Sequence, residues 1–338
     1  MVQFINSFKP AEDQVDTAAT KKSFSVEHIK IDNFEFNLND ETAERQPQKF
    51  DFAHIDFLIQ RFRLDDFSLR SDTIAGDLSD FVGIERHVDF EINEFTTAFR
   101  LTNHSLSFDD LRVKTDRTSI SDSLEFFYNG LDDLGAFVDS VSFVLHLDQT
   151  VLDKEDLQII TGSTEIQSDI KIDGIFWGTV GEFNIEEARV DIGDNSFFEG
   201  GVSCFGLPNL DQTFALADFT RSRFDPTDLK PYIGELESNL QQMGEIDFTG
   251  SFAGFFSDFV ARGDFETDQG SVHTDINIKI PDNPDDMSYV GNLKMDNVNI
   301  GAFIKNEVIQ RVNMEARIDG TGIKKENAHF EMKALVTE

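Results

Sequence analysis

The residues of this chain with chemistry to offer are mostly carboxylates, and many come in pairs. Asp65–Asp66 and Asp109–Asp110 have the makings of a general acid beside a general base. Yet Asp and Glu number 64 among 338 residues, so adjacent acids arise from composition alone, and these are expected to be solvated residues of turns or bulges. The segment Pro281–Tyr289 gathers Asp282, Asp285 and Asp286. It lacks the alternating acidic order and closing Glu of a calcium loop, which leaves a plain loop as the expectation. The seven histidines, His28, His54, His87, His104, His146, His273 and His329, are scattered, with no HExxH and no cysteine pair beside them, so each is expected to be a strand or turn residue and not a zinc ligand. Cys204, the single cysteine, has glycine neighbours in "GGVSCFG" but no partner base marked near it. It reads as a buried thiol. The glycines of "GSFAGF" do not open a helix after a strand, so no phosphate loop is expected. The chain is expected not to be an enzyme and to carry no metal or cofactor.

Composition narrows the partners. Lys and Arg number 29, giving a formal charge of -35, and a surface so acidic repels phosphate backbones and anionic membranes alike. Nucleic acid is excluded as a partner, while lipid held inside an apolar cavity is not. The 35 Phe stand against one Trp and three Tyr, so the aromatic content is apolar bulk with almost no polar handle. No window reaches the roughly 18 apolar residues of a membrane-spanning helix, and "MVQFINSFKP" has neither the basic start nor the apolar run of a signal peptide. The final "HFEMKALVTE" stops within an alternating pattern, so a fragment is expected.

The elements that would position these residues are strands. Phe34, Phe36 and Leu38, then Ile55, Phe57 and Ile59, then Phe143, Leu145 and Leu147, then Ile276, Ile278 and Ile280 alternate with polar residues, the period of a strand with one apolar face. "RSDT" at 70–73, "KTDRT" at 114–118, "IGDNS" at 192–196 and "ETDQG" at 266–270 read as hairpin corners, with Asp accepting a bond from a backbone N–H two residues on. At about 11 residues per strand and turn the chain would hold on the order of 25 to 30 strands.

One nine-residue shape recurs: "IKIDNFEFN" from Ile29, "FRLDDFSLR" from Phe62, "LSFDDLRVK" from Leu106, "FNIEEARVD" from Phe183 and "LKMDNVNIG" from Leu293. In each the alternation slips by one at the polar pair. A β-bulge does this, adding one residue and restoring the facing of those beyond it; a two-residue hairpin at the pair is the other reading. The bulge is preferred, because "RSDT" already supplies a corner and Asp-Asp suits a type I′ turn poorly.

Residues 1–23 read as a linker, 24–221 as a first β segment, 222–244 as a helical connector and 245–338 as a second β segment. Within the connector Asp225 is the expected cap, Pro226 the first helical position and Gly244 the stop, with Leu229, Ile233, Leu236, Leu240 and Met243 at helical spacing. After it, Phe248, Gly250, Phe252, Gly254 and Phe256 share a face, leaving room for rings to fold over the glycines or for a guest to lie against the backbone.

The bulged units, the "SDT" and "TDQG" corners, and above all "DFVARGDFETDQGSVHTDI" with "YVGNLKMDNVNIGAFI" resemble the AsmA-like superfamily and, within it, the translocation and assembly module (TamB) family. The likeness is strongest over 245–305 and looser over 24–220. It implies an envelope protein of Gram-negative bacteria whose sheet forms a long apolar trough that moves phospholipid from inner to outer membrane across the periplasm. It also implies an inner-membrane anchor and a C-terminal segment docking to an outer-membrane barrel partner, neither of which is recognisable here.

The fold expected is therefore all-β: an elongated, mostly antiparallel curved sheet forming an apolar trough, with a short helical connector near 225–243. Phe57, Phe62, Leu64, Phe67, Leu69, Phe90, Phe108, Phe126, Phe143, Phe248, Phe252, Phe265 and Ile278 would line it and meet lipid. Two rivals remain. In a structural or adhesive β-sandwich the same residues would be closed core, and a β-solenoid carbohydrate enzyme would need a fixed coil length that the uneven motif spacing does not supply.

Overall fold

In the computed structural model, residues 23–337 are described apart from 131, 134–136, 165, 208, 210–211, 229–240, 282–285, 300–310 and 323–328. The architecture is all-β and antiparallel, as the alternation predicts. The chain divides into two compact units, residues 1–180 and 181–338.

The first unit contains β1 (Ser23–Asn39), β2 (His54–Arg70), β3 (Thr73–Glu85), β4 (Phe90–Ile92), β5 (Glu94–Leu101), β6 (Ser105–Lys114), β7 (Ser119–Phe127), β8 (Ser142–Leu152) and β9 (Ile170–Gly178). Each strand pairs with the next, except that short β4 lies beside the end of β3 while the rest of β3 pairs with β5. The second unit runs through β10 (Glu182–Ile192), β11 (Ser196–Phe205), β12 (Phe214–Phe224), β13 (Ile246–Phe255), β14 (Asp258–Thr267), β15 (Gly270–Lys279), β16 (Ser288–Asn299), β17 (Arg311–Thr321) and β18 (His329–Thr337). Here too neighbours in sequence are neighbours in the sheet. An antiparallel meander needs only short connections, and the corners supply them.

The recurring polar pair is a bulge against the following strand in four of the five places. Its second residue adopts a left-handed conformation each time, with φ of 54° at Asn33, 49° at Asp66, 51° at Asp110, 46° at Glu187 and 54° at Asn297. The register against the following strand shifts at Asp65/Ser68, Phe108/Leu111, Ile185/Ala188 and Met295/Val298. Asn33 differs, because β1 and β2 slip together and their register stays unbroken. Asn and Asp reach this region at least cost after Gly. Asp66→Val is therefore expected to destabilise the protein by about 1–2 kcal/mol, and Asp66→Gly to leave it within about 0.5 kcal/mol of the parent. Urea midpoints of the two variants check this.

The four predicted corners all join consecutive strands, but no described bond has the corner's own Asp accepting from the N–H two residues on: at 192–196 the N–H groups of Asn195 and Ser196 go to Asp228 instead, and at two corners the acceptor is a threonine. Thr115 Oγ1 accepts from Arg117 N at 3.1 Å and Thr267 Oγ1 from Gln269 N at 3.0 Å. Threonine precedes the Asp in both, so its hydroxyl reaches the second N–H first. Eighteen strands lie among the described residues, fewer than the spacing suggested, because β1 and β2 each run for 17 residues through their bulges.

The connector between β12 and β13 begins and ends as its residues predict. Asp225 Oδ1 accepts from Thr227 N at 2.8 Å, and Gly244, at φ 72°, follows a 3-10 turn at Gln241–Met243; residues 229–240, where the helical spacing was read, lie outside the described residues. A helix that sequence reasoning missed spans Lys154–Thr161, capped by Asp153, which accepts from the N–H groups of Glu155 and Asp156, and ended by Gly162 at φ 76°. Its signal was Asp153 with Gly162 nine residues on, set in a stretch too short to show helical period.

Candidate functional site

Residues directly opposite on paired strands share a face, so the registers show where each predicted side chain lies. In the first unit all nine lie on one face. One row runs Phe24, Leu69, Ile74, Leu101, Leu106, Phe126, Phe143 from β1 to β8, and another runs Phe99, Phe108, Leu124, Leu145, Phe176. Leu64 is opposite Ile29 and Leu78, Phe62 opposite Ile31 and Phe81, Phe67 opposite Val26, and Phe57 opposite Phe36. Phe90 joins the face through Glu85, which lies opposite both Phe57 and Phe90. Rings meet edge to face within it, Phe34 with Phe62 at 6.2 Å and Phe81 with Phe95 at 5.9 Å.

The other face of β1–β3 is laced with charge. Arg61 and Arg63 both reach Asp80, Arg86 bridges Glu35 and Asp56, and Asp65 accepts from Ser79 while pairing with His28 at 2.7 Å. These pairs are solvent-exposed and contribute little stability each. What they do is keep that face wet, so the sheet has one greasy side and one ionic side.

One end of the first unit's apolar face is covered. The loop after β1 carries Phe50, whose ring packs on Phe90 at 5.8 Å. Its N–H bonds Ile159 O in the Lys154–Thr161 helix at 2.7 Å. Asp51 fixes the loop by accepting from Gln46 N, Ala53 N and His54 Nδ1, and its carboxyl is held down to about 2, first by the Gln46 N–H. The helix is tied in turn to the β6–β7 corner by Thr115 Oγ1 donating to Asp156 at 2.5 Å.

Glu85 is the anomaly of this face: an acid 2% exposed among phenylalanines. It accepts from Asp56 N, His87 N and Val88 N at 2.9–3.2 Å and meets the His87 ring at 2.9 Å. Burial acts to raise its pKa, but those donors outweigh it and hold the carboxyl below the ordinary glutamate value. Such a group adds stability above the unfolded-state pKa and loses it as pH falls through the lower folded one. Glu85→Gln puts an amide N–H₂ against backbone donors, with an expected cost of about 1–3 kcal/mol near neutral pH. The gap between parent and variant in urea midpoint should close as pH is lowered from about 7 to about 3.

In the second unit Phe248, Phe252, Phe265 and Ile278 also share one face. Phe248 is opposite Ser222 and Phe265, Phe252 opposite Ala217 and Ala261, and Ile278 opposite Phe259 and Tyr289. Phe248 is the hub: its ring lies 5.4 Å from Phe219, 5.7 Å from Phe265, and 6.1 Å from Phe198 and Phe224. Phe198 stands on β11, two strands from Phe248 on β13, where a flat sheet would hold the rings roughly 9–10 Å apart. The two rings close over Ser222, which lies opposite both and is buried beneath them. Glycine permits the approach at Gly250, where a Cβ would run into the carbonyl oxygen of Arg262. At Gly263 and Gly320 the rings of Phe265 and Tyr289 fold over the bare backbone.

Of the thirteen predicted side chains, only Phe57, Leu64 and Phe90 are buried, at 8%, 7% and 9% exposure, and Leu69 is exposed at 36%. The other nine are half-buried. Sequence reasoning missed Phe198, Phe219 and Phe224 as partners of Phe248, and Phe50 as a cover. In "SFFEGG" the adjacent Phe197 and Phe198 gave no sign of which faced inward; Phe197 instead lies under Arg189, 4.2 Å from its ring centroid, on the ionic side.

The other chemistry-bearing residues are dispersed. His54, His87 and His273 each contact one acid, and His28 contacts two, Asp65 and Glu27. Cys204 lies opposite Phe183 and Ala215, 9% exposed, its pKa raised by burial. Asp282 and Asp285 of the acidic loop lie outside the described residues, and no described helix is long and apolar enough to cross a membrane. Comparison of the chain with family models, with curated proteins and with solved structures gave no match.

Proposed function

We propose that the apolar faces hold the acyl chains of phospholipid and that the protein acts, without catalysis, as part of a lipid conduit. The observation that carries this is the incomplete burial of the phenylalanine faces described above: the side that should be a closed core in a sandwich remains partly within reach of a guest. A phospholipid has roughly 30 methylenes, and at about 0.8 kcal/mol each their exposure to water costs on the order of 20 kcal/mol. A lane of Phe, Leu and Ile offsets much of that cost. The ionic face keeps the conduit soluble. The proposed setting is the periplasm, between inner and outer membranes, with an outer-membrane barrel as assembly partner; the sequence resemblance supports this part.

Organic extracts of the pure protein, analysed by mass spectrometry, are expected to contain phospholipid at about one molecule or more per chain. Extracts no richer than those of a soluble control of similar size would overturn the proposal in favour of a structural or adhesive protein.

A further inference from the structure

At one end of β7–β9 the apolar surface wraps round the sheet. Phe126 and Phe143 stand opposite one another on the phenylalanine face. Their neighbours in sequence point the other way: Phe127 lies on the opposite face, where Val144 is flanked by Glu125 and Trp177 and where Ile175 stands opposite His146. Phe127, Ile175 and Trp177 are 39%, 40% and 41% exposed. Between the two faces, in the connection from β7 to β8, the ring of Phe137 packs on Phe126 at 5.4 Å and is itself 37% exposed. The same face of β1–β3 carries ion pairs instead.

The charge around these rings is one-sided. From Thr118 to Asp153 the sequence holds no Lys or Arg. Lys171 is at the far end of β9, opposite Val151, and Arg100 stands two strands beyond Glu125 along the same row. The carboxylate set beside the rings is that of Glu125, directly opposite Val144. A globular partner covers one face of a sheet, whereas a lipid layer closes round both. Trp and Phe settle at the boundary of such a layer. Aromatic rings beside a carboxylate suit the ammonium group that ends a zwitterionic headgroup, while an anionic surface finds no basic cluster to meet it.

We propose that this end of β7–β9 is a docking tip for a zwitterionic phospholipid layer, with Phe127 and Trp177 seated among the headgroups and Glu125 facing their ammonium ends. The contact is made by side chains outside the phenylalanine rows, so the inference stands whatever those rows hold.

Trp177 is the only tryptophan of the chain, and its emission therefore reports this tip alone. The full chain is expected to float with phosphatidylcholine vesicles in a density gradient, with Trp177 emission shifted to the blue. Phe127→Ser, at an exposed position, is expected to weaken binding about tenfold. Replacing half of the lipid with phosphatidylglycerol is expected to weaken it about fivefold, and Glu125→Lys to close that gap. A chain that stays at the bottom of the gradient overturns the proposal. So does flotation with Trp177 emission unmoved, a Phe127→Ser variant that binds as the parent does, or tighter binding to the anionic vesicles.

Discussion

Phe252→Asp and Phe67→Asp are each expected to strip co-purifying phospholipid from the protein by about tenfold or more, with circular dichroism unchanged. Both rings are half-buried on the apolar face, where Phe252 touches Phe259 at 4.8 Å and Phe67 touches Phe24 at 6.3 Å. A carboxylate there must keep its water, which acyl chains cannot supply, and an unpaired charge in apolar surroundings costs several kcal/mol. The folded protein tolerates the change because these positions already reach solvent. His273→Ala, on the ionic face, serves as the control and should leave lipid content untouched. Lipid retained at parental levels in both aspartate variants would end the conduit reading.

Phe248→Ala acts through a different route. Its ring joins Phe198, Phe219, Phe224 and Phe265 into one cluster, so truncation leaves a hole that four other rings cannot all relax to fill. Phe-to-Ala changes at such sites cost about 3–5 kcal/mol. That is a large share of the roughly 5–15 kcal/mol that holds a domain folded. Hydrogen exchange should localise the loss to β11–β14, leaving amides of the first unit protected as before. Uniform loss of protection, or a cost below about 1 kcal/mol, would show that the hub carries no special weight.

Much of this was legible in the residues because period two is a strong signal and the strands are long. The bulges were legible for a sharper reason: a slip in alternation at a polar pair has few backbone solutions, and the pair's second residue is Asn or Asp, which enter the left-handed region at low cost, in every case but Glu187. What stayed hidden depended on distant parts of the chain. Nothing near Glu85 says that an acid will sit on the apolar face, since its donors come from Asp56 and from the turn at His87–Val88. Nothing near Phe50 says that it will cover Phe90. The two corners where Thr displaced Asp were readable in principle, because in both the hydroxyl stands one place earlier than the carboxylate.

The paired slips of β1 and β2 constrain how such a chain can change over generations. Asn33 stands across from Gln60 and Asp66 across from Glu27, so both ribbons switch parity at the same level. Losing one of these residues would behave like a reading-frame error, turning every downstream ring outward until a compensating loss occurred in the neighbouring ribbon. Length variation here must therefore arrive in matched pairs, a bookkeeping rule written into the geometry and absent from any single strand.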